Sequence, residues 1–185
     1  MFDPDLLHFT EIAFQEDPQE FLPITLSFVH RFNAEHGNAL GVDYPQWGPS
    51  GFIKGLSRIR VLGTFDQVTA FLASPKVARL AGLCGAFTAV QAVPAGAELA
   101  ALSRDNRNDH FKPSYGRRLE KRALARQGAV PAVSAKVPFA NAVPVASKST
   151  RQDFLLKLKK TAFQGPREVE FTSYGLCKRG GVPQF

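Results

Sequence analysis

Apolar residues recur at helical spacing from Phe21 to Phe32. Phe21, Leu22, Thr25, Leu26, Phe28, Val29 and Phe32 form one broad stripe, the pattern of a helix laid on a core. Asp17-Pro18 opens it, with proline suited to the first turn and Glu20 complementing the helix dipole. Gly37, just past the stripe, is a C-cap. Strand-like segments flank this helix: LLHFTEIAF (6–14) before it, ALGVDY (39–44) and SRIRVLG (57–63) after it, the last two separated by a loop rich in Pro and Gly. Thr64 and Gln67 have the spacing of a capping box for a second helix. That helix runs to Ser74-Pro75, where a further turn or short helix (76–80) begins. AFTAVQAV (86–93) reads as a fourth strand, closed by Pro94. The order βαββαβ predicts a ferredoxin-like unit, two helices on one face of a four-stranded antiparallel sheet. Such a unit hosts many activities and by itself fixes none.

The second half has a different texture. LAALSRDNRND (99–109) starts apolar and turns polar and basic. Pro113-Ser114 precedes GRRLEKRALARQG (116–128), a helix candidate ending near Gly128. Residues 128–146 are rich in Ala, Val and Pro. They are expected to be loop or irregular extended chain, since proline blocks both helix and central strand. DFLLKLKKTAF (153–163) alternates Leu156 and Leu158 with Lys157 and Lys159, a half-exposed strand with a basic outer face. VEFTSYG (169–175) is the last strand expected, and GLCKRGGVPQF closes the chain as a Gly-rich basic loop with an apolar end. The fold expected is α+β: a ferredoxin-like domain over 1–94, then a C-terminal part over 95–185 holding a basic helix and a few strands.

Composition narrows the classes. At 185 residues with 44% hydrophobic and 21% charged residues, the chain can bury a core without staples and is not of the disordered type. No apolar run reaches the length of a membrane-spanning helix, so no membrane partner is expected. Cys84 and Cys177 cannot build a disulfide framework or a metal cage alone. The first residues, MFDPDLLHF, carry acids where a secretory signal carries bases. The expected setting is therefore reducing and cytoplasmic.

Charge is distributed unevenly. Residues 1–50 carry eight acids and one base, for −7, while the other 135 residues carry +14. A basic half seeks a polyanion, and nucleic acid leads because phosphate neutralisation dominates such affinity. The sharpest local feature is Arg117, Arg118, Lys121, Arg122 and Arg126 on one predicted helix, with Glu120 as the only acid among them. A helix of this kind either lies in a nucleic-acid groove, its guanidinium forks on phosphates and guanine edges, or is simply a solvated face. Arg104 and Asn106 precede it, residue types that read guanine and adenine but are also ordinary on a loop.

His30 lies at the edge of the first helix's stripe. It reads either as a partly buried structural histidine or as a general acid or base, since imidazole titrates near neutrality. His8, His36 and His110 share no metal-like spacing with it, and no metal or other cofactor is expected. SKSTRQDF (147–154) offers hydroxyls, bases and Phe154, which either stacks on a base or joins the core. No GxSxG elbow surrounds these serines, and Gly180-Gly181 is not a phosphate-binding P-loop.

The ending FTSYGLCKRGGVPQF (171–185) closely resembles the F-T-x-Y-G-L-x-K-x-G-x-V-P-x-F ending of the CRISPR repeat-processing endoribonucleases of type I-F systems. The helical His30, GVDYP (41–45), the element 103–106, the arginine-rich helix and STRQDF (149–154) agree in order and spacing. The resemblance implies a ferredoxin-like domain with a C-terminal part bearing that helix. It also implies an enzyme that uses no metal, cuts precursor RNA at the 3′ base of a stem-loop, and stays bound within the type I-F surveillance complex. The products it implies are a 2′,3′-cyclic phosphate (or 3′-phosphate) and a 5′-hydroxyl. By the same resemblance His30 matches the catalytic histidine, Ser147 the serine holding the attacking 2′-hydroxyl, and Tyr174 a tyrosine near them. Arg104 and Asn106 match the pair that reads bases at the foot of the stem, where the family commonly has Arg and Gln. Arg118, Lys121 and Arg122, flanked by Arg117 and Arg126, match the groove-facing helix; Ser149 and Phe154 match the RNA-binding segment, Phe154 stacking under the terminal base pair. The rival reading is a non-catalytic RNA-binding module of the RRM type, against which stands the lack of an RNP-type aromatic run. A DNA-binding accessory factor is more distant.

Overall fold

The computed structural model describes residues 1–14, 18–47, 57–106, 113–125, 141–147 and 152–185. The first half builds β1 (His8–Ala13), α1 (Pro18–His36), β2 (Gly41–Asp43), β3 (Arg58–Gly63), α2 (Phe65–Leu72), α3 (Pro75–Cys84) and β4 (Gln91–Ala92). The strands form one antiparallel sheet in the order β2-β3-β1-β4, the ferredoxin-like arrangement. Local chemistry sets the helix ends. Gly37 (φ +70°) and Asn38 (φ +62°) end α1 in left-handed backbone, and the Asn38 N–H donates to the Asn33 carbonyl at 2.9 Å. The capping box at α2 is complete: Thr64 N–H donates to Gln67 Oε1 (2.9 Å) and Gln67 N–H to Thr64 Oγ1 (3.3 Å). Asp17, expected to open α1, lies outside the described residues.

Two expectations for this half need correction. The turn or short helix expected at 76–80 is a helix, α3, and at ten residues it is longer than expected. The fourth strand is far shorter than 86–93, because hydroxyls replace part of its ladder. Thr10 Oγ1 donates to the Thr88 carbonyl (2.7 Å), and Glu11 N–H donates to Thr88 Oγ1 (3.0 Å). Regular pairing with β1 survives only as an isolated bridge, Ile12 to Phe87, and at Gln91–Ala92.

The second half contributes β5 (Glu98–Arg104), α4 (Pro113–Ala125), β6 (Asn141–Ser147), β7 (Gln152–Ala162), β8 (Glu170–Phe171), β9 (Cys177–Arg179) and β10 (Val182–Gln184). A second antiparallel sheet runs β10-β5-β7-β6, and β8 pairs with β9. Residues 141–146, expected to be irregular, form most of β6. Proline is barred from central strands only; β6 is an edge strand, and Pro144 needs no ladder partner on its open side. Residues 128–140 lie outside the described residues. The tail is two short strands and not a loop, while the strand expected over 169–175 shrinks to Glu170–Phe171, because the chain turns at 172.

Register divides the first sheet into two faces. Thr10 and Ile12 stand with Ile59 and Val61 on one face; Phe9 and Glu11 stand with Leu62 and Arg60 on the other. The C-terminal strands lie against this second face. Phe185 meets Phe9 edge-on (4.8 Å between centroids), the Arg60 guanidinium sits 4.1 Å from the Phe185 ring centre, and Arg60 also holds Glu11 at 2.7 Å. The Asp43 carboxylate of β2, fully buried, pairs with the Lys160 ammonium of β7, 9% exposed, at 2.8 Å. Lys160 also donates to the Tyr44 carbonyl (3.0 Å), and Gln184 Nε2 donates to Asp43 Oδ1 (3.3 Å). Burial, then the Asp43 charge, raises the Tyr44 phenol far above its ordinary value. One apolar cluster runs from Ile12 and Leu26 through Val42 to Leu158, Phe171 and Val182. Among the described residues, no helix is long and apolar enough to cross a membrane.

Removing one member of a buried ion pair strands the other charge, a loss of about 3–5 kcal/mol, whereas replacing both with apolar groups is often close to neutral. Lys160→Ala and Asp43→Ala are each expected to lose about that much in urea unfolding. The double variant Asp43→Leu with Lys160→Met should be more stable than either. Additive losses across the set would show that the two charges are not coupled.

Candidate active site

Helix α1 places His30 and Asn33 one turn apart, on adjacent faces. Asn33 stands at a stripe position, one turn beyond Val29, and is 1% exposed. Its Nδ2 donates to the Leu40 carbonyl (2.8 Å) and lies 3.3 Å from the carbonyls of both Thr172 and Ser173. Its Oδ1 accepts from Leu40 N–H at 2.7 Å. This one amide ties the helix to the approach to β2 and to a turn 139 residues further on.

That turn, 172–175, closes when Gly175 N–H donates to the Thr172 carbonyl (2.9 Å); Leu176 N–H donates to Thr172 Oγ1 (3.1 Å). The Gly175 carbonyl then accepts from Val42 N–H at 2.8 Å, filling a place on the free edge of β2. Glycine is required here for two reasons. Its φ is +74°, and a Cβ would stand 3.0 Å from Val42 Cγ1 and 3.1 Å from Val42 N.

The turn delivers Tyr174 onto His30. The two rings stack with centroids 4.2 Å apart and planes within 6° of parallel. Phe154 of β7 meets Tyr174 edge-on, at 6.3 Å and 87°. Nδ1 of His30 is buried with no hydrogen-bond partner among the described residues. Burial raises the Tyr174 phenol, so it is neutral throughout the physiological range. Burial likewise pushes the nearby Cys177 thiol up to about 11, which makes it a poor nucleophile. Among the described residues no three of His, Cys, Asp or Glu gather as a metal site.

Three of the residues picked from sequence, His30, Tyr174 and Phe154, are thus brought together. Ser147 is the last residue of β6, paired with Gln152, two positions beyond the Val145–Phe154 pair. Arg104 ends β5 opposite Leu158, four residues along β7 from Phe154. An even separation puts the two positions on one face of the sheet, about 13 Å apart along the strand. Arg104 and Asn106 are exposed, as are Arg117, Lys121 and Arg122 on α4. Arg118 lies within α4, while Arg126 and Ser149 lie outside the described residues. Lys157 and Lys159 take the opposite face of β7 from Leu156 and Leu158, as their alternation predicted.

The family model for CRISPR-associated protein (Cas_Csy4) matches residues 11–185. The chain belongs to the Cas_Csy4 family. It is therefore an endoribonuclease that binds and processes CRISPR repeat RNA, of the type I-F kind. A search of curated proteins found no match. The model's span covers both the helix of His30 and the ending 171–185, the two stretches that meet in the Cas_Csy4 chain as the stacked pair. Asn33, which joins them, was not singled out from sequence. The signal was there: a polar residue four positions after Val29 and seven after Leu26 interrupts an otherwise apolar stripe.

Gly175→Ala is expected to lower stability by about 1–2 kcal/mol from the left-handed backbone alone, and by more from the clash with Val42. Chemical unfolding measures it. A variant as stable as the parent would mean that the turn relaxes freely and does not fix Tyr174.

Proposed function

We propose that the chain grips the stem-loop of CRISPR repeat RNA and cuts at the 3′ base of the stem by attack of the RNA's own 2′-hydroxyl. The products would be a 2′,3′-cyclic phosphate (or 3′-phosphate) and a 5′-hydroxyl. RNA brings its nucleophile with it, so the protein needs to align the sugar and phosphate and move protons, and no metal is required for either task. His30 transfers the proton, at the 2′-hydroxyl or at the leaving 5′-oxygen. Ser147 holds the ribose, Tyr174 supports the imidazole, and Phe154 receives the last base pair. Arg104 and Asn106 read bases at the foot of the stem; Asn106 reaches one methylene less far than the glutamine common in the family, so its purine sits closer or is read differently. Arg117, Arg118, Lys121, Arg122 and Arg126 follow the phosphates of the groove, and Ser149 also contacts the RNA. The product stays bound and carries the protein into a cytoplasmic type I-F surveillance complex. The domain boundary proposed for this division of labour falls after residue 94.

The observation that carries this reading is the ring pair of His30 and Tyr174 beside Phe154, assembled from three distant parts of the chain. His30→Ala is expected to slow single-turnover cleavage by about 10²–10⁴-fold, the usual worth of a general acid or base, with stem-loop affinity changed no more than a few-fold. Retained cleavage would remove His30 from the chemistry. A substrate with one 2′-deoxy sugar at the cut should bind and stay intact, in EDTA as in buffer. If that substrate is cut, the nucleophile is not the neighbouring hydroxyl.

The helix makes a separate prediction. With Arg118 and Arg122 both replaced by alanine, the plot of log affinity against log salt should become shallower by about one unit for each phosphate that is no longer neutralised. An unchanged slope would mean that α4 faces away from the RNA.

A further inference from the structure

We propose that Asn33 is a positioning residue of this site, its buried amide locking the turn of Tyr174 to the helix of His30. The inference rests on His30 being the group that moves the proton, but it is carried by geometry of its own. An amide offers two N–H donors and a carbonyl acceptor. One donor goes to the Leu40 carbonyl at 2.8 Å, the other is shared between the Thr172 and Ser173 carbonyls at 3.3 Å, and Leu40 N–H returns a bond to Oδ1 at 2.7 Å. A leucine would satisfy the apolar stripe at this position. The polar group instead spans the two pieces of chain whose relative placement decides whether the rings stack. Leu40 and Asn33 are close in sequence and need no help to meet, so the part of the bond set that does long-range work is the shared N–H on 172 and 173.

Ring overlap is sensitive to this anchor. Tyr174 follows Ser173 directly; apart from Asn33, the turn is held by Gly175 on the edge of β2 and, at its base, by the Thr172–Leu176 bonds. With both ends tied, the tyrosine has one place to go. With the Asn33 end released, the turn can pivot about its bond to Val42, and displacing a reacting group by about 1 Å can cost about 100-fold in rate.

Asn33→Asp tests this, because it keeps the acceptor for Leu40 N–H and turns an oxygen toward the three carbonyls. The His30 ring protons, assigned by comparison with His30→Ala, lie under the Tyr174 ring and are shifted upfield in NMR spectra of the free protein relative to a Tyr174→Leu variant. In Asn33→Asp they should move back toward the Tyr174→Leu positions. Saturated single-turnover cleavage should fall about 10- to 100-fold while stem-loop affinity stays within about threefold. A folded Asn33→Asp variant whose His30 signals do not move, or whose loss is all in affinity, overturns the proposal. If the variant does not fold, the parent decides: the Asn33 Nδ2 protons should exchange with water far more slowly than those of an exposed asparagine, and solvent-like exchange overturns it. Should His30→Ala cleave normally, the proton-transfer reading fails while the ring shifts still report on Asn33.

Discussion

The free edge of β2 is the constraint from which the site follows. An edge strand presents unpaired N–H and C=O groups that a fold must cover or leave open to another chain. Here the Gly175 carbonyl accepts from Val42 N–H, so the C-terminal segment closes that edge with a turn and not a strand. A turn can project a side chain outward past the sheet edge, where a paired strand would have pointed its side chains alternately above and below the sheet. Tyr174 therefore reaches past the edge to α1 and finds His30. The same approach brings Phe171 against Gly41, where any side chain would collide with its ring.

The charge asymmetry of the sequence takes on a definite meaning in this arrangement. Acids of the first half are matched to bases that approach them in the fold: Asp5 to Arg167, Glu11 to Arg58 and Arg60, Asp43 to Lys160. Two of these pairs cross from the ferredoxin-like unit to the C-terminal half, Asp43 to Lys160 of β7 and Asp5 to Arg167 between β7 and β8. The exposed pairs contribute little to stability, while the buried one specifies how β2 and β7 face one another. Arg117, Lys121 and Arg122 on α4 and Arg104 at the end of β5 remain exposed, on elements apart from these pairs, which is where a polyanion can use them.

Local rules were readable in the sequence wherever the decisive partner was close by. The stripe of α1, its stop at Gly37 and the capping box at Thr64 each depend on neighbours within a turn. The alternation of β7 was equally plain, although Lys160 breaks it: by parity it belongs with Leu156 and Leu158 on the inner face, and only the distant Asp43 explains it. Pro144 looked like a strand breaker because its place at a sheet edge depends on β7. The two strands of the tail were missed because they are three residues long, and their pairing partners lie far away or across a bulge. For the site, His30 and Tyr174 could be picked out singly, by residue type and by resemblance to a family ending. That they meet face to face, and that Asn33 joins them, depends on approaches between residues 139 or more positions apart.

How the histidine is held bears on what it can do. Imidazole exchanges protons through nitrogens that lie in the plane of the ring. A partner that grips one nitrogen, such as the carboxylate behind many catalytic histidines, fixes the tautomer and biases the ring toward its charged form. A partner stacked on the face orients the ring while using neither nitrogen. The 6° tilt and 4.2 Å separation of His30 and Tyr174, with Nδ1 unpartnered among the described residues, are of the second kind. Such a stack positions the ring, and no described residue claims its Nδ1. In the proposed cleavage the RNA would decide between acid and base, through whichever oxygen, nucleophile or leaving group, its backbone brings to the edge of the ring.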